Sequence, residues 1–307
     1  MKIIKLKPYF SEKIWGGQEL KNFGYQIPAD KKIGEAWVIS AHPNGMSYLD
    51  DPQLPQQSLK DFFTQNRELF GNYQGEFPLL AKIITANDYL SVQVHPDDQY
   101  AKEHQHSLGK PESWYVLAAP ENAQLIYGHH AQTQEELSLM IVNNQWDKLL
   151  KKVPVMVGDF IYVDAGKIHA ITPGIVVYEL QRSSDVTYRF YDFDRVDQNG
   201  EKRRLDLKDS LQVTTVPDSK AQIVRKAEAL VWSSDSFSLY VADVETKKVV
   251  ELAKMDEPYW LQFTVIEGEG TINQEHFHQG ESAIGIDDLE NVTIVGKMKV
   301  LISWIRK

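Results

Sequence analysis

A succession of short runs rich in Val, Ile, Phe, Tyr and Trp, each closed by Gly, Pro, Asn or Asp, constrains the fold more than any other feature of this chain. The first part carries EAWVISA from Glu35, YLSVQVH from Tyr89, SWYVLAA from Ser113, DFIYVDA from Asp159, GIVVYELQ from Gly174 and VTYRFYD from Val186. A tail repeats the rhythm with FSLYVADVE, YWLQFTVIEGEG, SAIGI and VTIVG, between Phe237 and Gly296. Runs of this length and composition read as β-strands. With few helices between them they predict antiparallel sandwiches or barrels rather than alternating βαβ units. The expected fold is therefore mostly β, jelly-roll barrels with a few packing helices.

Two segments carry helical signals. SLKDFFTQNRELFGN offers Ser58 as N-cap, apolar residues at Leu59, Phe62, Phe63, Leu69 and Phe70, and Gly71 as terminator. TQEELSLMIVNNQWDKLLKKV opens with Thr133 and Glu136 in capping-box spacing and runs to Pro154. The basic and polar stretch DQNGEKRRLDLKDSLQ, residues 197–212, separates the motif-rich first part from the tail. A division near residue 230 follows, with 1–230 as the principal barrel plus helical insertions and 231–307 as a small C-terminal barrel.

Net charge and cysteine content narrow the function. A formal charge of -10 on 307 residues disfavours nucleic acid and anionic membranes as partners. No residue is Cys, so any metal must be held by imidazole, carboxylate or amide groups, and a cytoplasmic setting is expected. No apolar run reaches membrane-spanning length, so the protein is expected to be soluble. Oligomeric state, monomer or homodimer, is left open.

Within SVQVHPDDQY, from Ser91, alternation sends Gln93 and His95 to one face and Val92 and Val94 to the other. GDFIYVDAGKIHAI has glycine turns at Gly158 and Gly166 around a strand, then His169. This is similar to the second signature of the cupin barrels, with Asp164 in place of the usual proline and Pro173 in place of the usual asparagine. GKPESWYVL puts Glu112 at the head of a strand. Gln93, His95, Glu112 and His169 thus offer two imidazoles, a carboxylate and an amide oxygen, and two His with one carboxylate is a common catalytic zinc set. His129 and His130 in YGHH, and His276 and His278 in EHFHQGES, lack a carboxylate at useful spacing and read as exposed. Of Trp15, Trp37 and Trp114, at least two are expected to pack rather than stack on a ligand. Glu35, two residues before Trp37, is a candidate for a substrate-side role.

The order of IWGGQEL, GEAWVISAHPNG, PLLAKIITANDYLSVQVHPDD, GKPESWYVL, VGDFIYVDAGKIHAI and YELQRSSDVTYRFYDFDR, from Ile14 to Arg195, resembles the type I phosphomannose isomerases of the short bacterial kind. The resemblance implies a zinc enzyme of the cupin superfamily, with one ion per chain on Gln93, His95, Glu112 and His169. It implies an aldose–ketose isomerase converting mannose 6-phosphate to fructose 6-phosphate through a cis-enediol. Arg189 falls on the family's catalytic arginine, Lys82 and Lys110 on lysines of the substrate cavity, and Glu179 and Asp185 on its acidic residues. Lys110, Glu179 and Asp185 are then candidates for acid and base. Lys82, Lys110, Arg182, Arg189 and Arg195 are candidates for the substrate phosphate, with Arg182 and Arg195 expected on a solvated rim. Where longer relatives carry tyrosine two residues after the last histidine, this chain has Ile171. A degenerate cupin barrel is implied for the tail. The competing readings are a metal-dependent cupin oxygenase and a sugar-binding cupin without catalysis.

Overall fold

Strand alternation decides what each sheet gives to the core. A computed structural model describes residues 1–196, 200–251, 255 and 257–307. Seven strands position the site: β1 (Ile33–Ile39), β2 (Leu79–Thr85), β3 (Val92–Val94), β4 (Glu112–Ala118), β5 (His169–Ala170), β6 (Val176–Arg182) and β7 (Tyr188–Tyr191).

A seven-stranded antiparallel sheet runs Gln222–Val224, Phe160–Val163, β4, β6, β2, β1, Tyr9–Gly17. Facing it, a five-stranded sheet runs Leu150–Pro154, Gln124–His129, β5, β3, β7. Ile84, Trp114, Val116 and Val177 of the first sheet pack with Leu125 and Tyr127 of the second and close part of the interior. Their neighbours one residue away, Ile83, Tyr115 and Tyr178, point to the opposite face and join Ile4, Leu239 and Leu301 in a core shared with the C-terminal strands. Period two accounts for both layers.

Seven C-terminal strands, the first of them Ala229–Ser233, form a nine-stranded sheet together with Lys2–Lys7 and Tyr48–Leu49. Lys2–Lys7, which the sequence division assigns to the first unit, pairs in this sheet against Ser282–Ile286. Its partner lies at the far end of the chain, and a pairing so distant leaves no local mark. Within the expected boundary stretch, residues 197–199 lie outside the described residues.

The first expected helix forms as Leu59–Gln65, with Ser58 Oγ accepting from Asp61 N, then a 3-10 turn Arg67–Phe70 ended by Gly71 at φ 64°. The second is shorter than expected. Thr133 caps Gln134–Val142, the chain breaks at Asn144 (φ 51°), a single turn follows at Trp146–Leu149, and Leu150–Pro154 is a strand paired with Gln124–His129. Strand pairing overrides the helical propensity of the DKLLKK segment. Two helices escape the sequence reading, Asp98–Gln105 and Leu207–Val213. The former buries only Ala101, so it carries no apolar stripe to read. No helix among the described residues is long and apolar enough to cross a membrane.

Candidate metal centre

The expected ligands arrive from three strands. His95 follows directly on β3, where Val92 and Val94 anchor the opposite face in an apolar cluster with Ile126 and Leu137. Asp97 then caps the helix Asp98–Gln105 by accepting from Tyr100 N at 2.8 Å, which explains the carboxylates after Pro96. Asp98 Oδ1 accepts from Gly109 N at 2.9 Å and Pro96 O from Lys110 N at 3.1 Å, so the approach to β4 is clipped to the exit from β3. Gly158 and Gly166 adopt φ 88° and 82°, the left-handed turns their spacing predicts. Gly166 N donates to His95 O at 2.9 Å, three residues before His169.

His95, Glu112 and His169 come together with ligand atoms all within 4.8 Å, and all three are fully buried. His95 Nδ1 is 2.9 Å from the Val186 carbonyl and His169 Nδ1 is 2.8 Å from the Lys167 carbonyl. A carbonyl only accepts, so each ring is protonated at Nδ1 and turns the lone pair of Nε2 inward. Those lone pairs face carboxylate oxygens, His95 Nε2 at 3.3 Å from Glu112 Oε2 and His169 Nε2 at 3.4 Å from Oε1. Burial pushes the His95 imidazole down to about 4, and Lys110 adds to this against the opposing pull of Glu112. Burial likewise lowers His169. For Glu112, burial would raise the carboxyl, but the Lys110 ammonium beside it holds it well below its usual range. Neutral imidazoles facing an ionised carboxylate form a set of converging acceptors, and neither Glu112 oxygen has an aligned hydrogen bond among the described residues. Such a set fits a divalent cation. Lys110 Nζ, 3.0 Å from Glu112 Oε2 and 3.2 Å from His95 Nε2, meets only part of that demand.

Above the triad lies a cavity of about 440 Å³ lined by Gln93, Lys110, Lys82, Glu179, Asp185 and Arg189, the rest of the expected site. Gln93 sits between His169 and Arg189 in one cross-strand row, with its Nε2 at 3.4 Å from His169 Nε2. A half-turn of the amide would present Oε1 instead. In the facing sheet, Trp37, Lys82, Glu179 and Trp114 stand side by side across β1, β2, β6 and β4. Lys82 Nζ bonds Glu179 Oε1 at 2.8 Å and Gln181 Oε1 at 2.7 Å. Burial would lower the Lys82 ammonium, but Glu179 and Glu35 raise it above its ordinary value. Glu35 accepts from Trp37 Nε1 at 2.7 Å. Burial would raise its carboxyl, and Lys82 and Lys13 reverse this and lower it. Asp185 stands at the half-exposed rim, bonded by Asn44.

Trp15 and Trp37 line the cavity, whereas Trp114 is buried beneath it, edge-on to His169 at 5.3 Å. Ile171 packs into the apolar interior. Arg182 pairs with Asp98 and Arg195 with Asp192 and Asp88, and neither lines the cavity. His129 corrects its reading as exposed: it is fully buried, with Nε2 2.9 Å from Thr215 O, because the loop after Leu207–Val213 covers it. His278 does have a carboxylate partner, Glu269 at 2.9 Å across a hairpin, and remains exposed. Sequence reasoning missed Lys13, Asn44 and Arg203 in the cavity wall. For Arg203 the available signal was the cationic KRR cluster in an acidic chain.

Paired antiparallel sheets enclosing a buried His–Glu–His cluster that could hold a metal, under a polar cavity, define a protein of the cupin class. The profile of the phosphomannose isomerase type I catalytic domain matches residues 3–123. The chain is 52% identical over 213 residues to the mannose-6-phosphate isomerase of Streptococcus mutans, covering 69% of this chain and 67% of that one. It is 41% identical over 281 residues to mannose-6-phosphate isomerase ManA of Bacillus subtilis, covering 86% and 85%. The crystal structure of the Bacillus subtilis mannose 6-phosphate isomerase superposes with a TM-score of 0.93 at 36% identity, over 99% of this chain and 100% of that one. The chain belongs to the type I phosphomannose isomerase family, and its fold is that family's cupin fold.

Proposed function

We propose that this chain interconverts mannose 6-phosphate and fructose 6-phosphate through a cis-enediol, with one zinc ion held by His95, Glu112, His169 and Gln93. The observation that carries the reading is the convergence of two oriented imidazole lone pairs on a buried, ionised carboxylate. Zinc bound there would supply a Lewis acid beside the sugar oxygens, where charge develops as the enediolate forms. The cytoplasm is the proposed setting, as fits a chain without cysteine.

The remaining chemistry falls to residues of the cavity. Lys110, a buried cavity residue in contact with two ligand side chains, is assigned proton transfer. Glu179, held by Lys82 and by Trp114 Nε1 at 3.2 Å, is the second candidate. Asp185, on the rim, is the third. Arg189 is assigned to orient the substrate and stabilise charge, since a guanidinium stays protonated near neutral pH. Lys82 is assigned to substrate hydroxyls through the pair it forms with Glu179.

A coupled assay of the two sugar phosphates, run on protein as purified, after chelation and after zinc is restored, tests the reading. Turnover lost on chelation and recovered with zinc is expected. Turnover that survives complete removal of metal would overturn it.

A further inference from the structure

Most cations of the cavity are already matched by carboxylates. Lys13 pairs with Glu35 at 3.3 Å, Lys82 with Glu179 and Lys110 with Glu112. Arg189 differs. Its Nη1 bonds only the Arg204 carbonyl, at 3.0 Å, and its Nε is buried without a hydrogen-bond partner. No carboxylate among the described residues lies within ion-pair distance of its guanidinium. Burial and the neighbouring cation Arg203 lower the Arg189 guanidinium below its ordinary value, against the opposing pull of Asp192 and Asp206.

Arg203 lines the same cavity. Its fork is fixed from behind by Asp192, with Nε 2.7 Å from Oδ2 and Nη2 2.5 Å from Oδ1. Nη1 stands outside that pair. The same carboxylate takes Arg195 Nη2 at 2.5 Å, so one buried Asp192 balances two arginines, and only Arg203 of the two reaches the cavity wall. Two guanidiniums side by side at a cavity wall, one pre-oriented and one without a counter-ion, are costly unless an anion joins them. The row His169, Gln93, Arg189 sets Arg189 one strand from Gln93 and two strands, roughly 10 Å across the sheet, from His169.

We propose that Arg203, held by Asp192 beside Arg189, forms a phosphate subsite that binds the dianion of a phosphate monoester. The inference rests on the isomerase reading for its choice of substrate, but not for its geometry. Arg203→Gln and Arg195→Gln each break one arm of the Asp192 pair, and only the first removes a cation from the cavity. In the full zinc-loaded chain, Arg203→Gln is expected to raise KM for mannose 6-phosphate about tenfold or more while kcat changes far less. It should weaken calorimetric binding of inorganic phosphate by a similar factor. Arg195→Gln should leave KM and phosphate affinity near wild type, even with a comparable loss of thermal stability. Equal effects of the two variants on phosphate affinity, or unchanged phosphate affinity in Arg203→Gln, would overturn the subsite. Were wild type to bind phosphate through Arg203 yet not turn over mannose 6-phosphate, the subsite would stand and the sugar assignment would fall.

Discussion

Glu112 Oε1 faces His169 Nε2 across 3.4 Å, an acceptor opposite an acceptor, because the Lys167 carbonyl takes the only ring proton of a neutral His169. Removing one negative charge from this arrangement isolates its purpose. Glu112→Gln is expected to weaken zinc binding by more than about 100-fold, beyond the loss typical of an outer partner. Competition against a chromophoric chelator measures it, and wild-type affinity in the variant would remove the metal site.

Arg189→Lys keeps a positive charge but replaces a planar fork by a point charge. The expected result is an unchanged zinc content with kcat lowered about 100-fold, the scale seen when a preorganised donor is lost from a charged transition state. Metal analysis alongside steady-state kinetics decides it; a kcat near wild type rules out the assigned role.

Lys82→Met leaves Glu179 and Glu35 without the buried ammonium that faces them. At pH 7 the cost is expected to be about 3 kcal/mol, the scale of breaking a buried pair. The pH dependence has a definite sign. Lys82 and Lys13 depress the folded pKa of Glu35, so its stabilising contribution is present above the unfolded value and lost as pH falls through the folded value. Without Lys82 that carboxyl protonates at higher pH, and the variant loses less stability on acidification than wild type. Melting temperatures from pH 7 down to about 4 should therefore converge; a gap that widens contradicts the ion-pair account.

Gly166→Ala puts a Cβ 2.4 Å from Thr215 Oγ1 and 2.9 Å from Val213 O, at φ 82°. The left-handed backbone alone costs roughly 1–2 kcal/mol for alanine, and the loop behind must also move. Because Gly166 N bonds the His95 carbonyl, zinc affinity is expected to fall along with thermal stability. Melting and chelator competition on the same sample check both, and a variant that melts like wild type refutes the strain.

Trp260→Ala tests the support given by the C-terminal strands. Trp260 packs against Phe63, Phe70, Tyr73 and Phe77 of the first part at ring separations of 5.2–5.7 Å. A loss of about 3–5 kcal/mol is expected, with zinc affinity unchanged since no ring of this cluster touches a ligand. Denaturant unfolding gives the first quantity and chelator competition the second; altered zinc affinity would mean that the interface reaches the site.

The two histidines of the buried cluster were legible because each carries a local mark. Alternation in SVQVH separates Gln93 and His95 from Val92 and Val94, and the Gly158 to Gly166 spacing fixes turns at positive φ before His169. The helix from Leu59 was equally plain, since its cap and apolar face lie within a few residues of each other. Strand pairing was not. The segment Leu150–Pro154 follows its partner Gln124–His129 rather than its own helical composition, and Lys2–Lys7 pairs with Ser282–Ile286 near the other end of the chain.

Composition, turn spacing and alternation by themselves determined a cysteine-free, acidic, mostly β protein with two histidines and one carboxylate as candidate metal ligands. Only tertiary structure decided that Lys167 and Val186 carbonyls orient those imidazoles, that His129 is buried, and that Arg203 reaches the cavity from a stretch that reads as a boundary. The physical reason is range. Propensity and periodicity act over a few residues and leave a pattern in sequence, whereas a hydrogen bond between distant segments depends on how whole sheets come together.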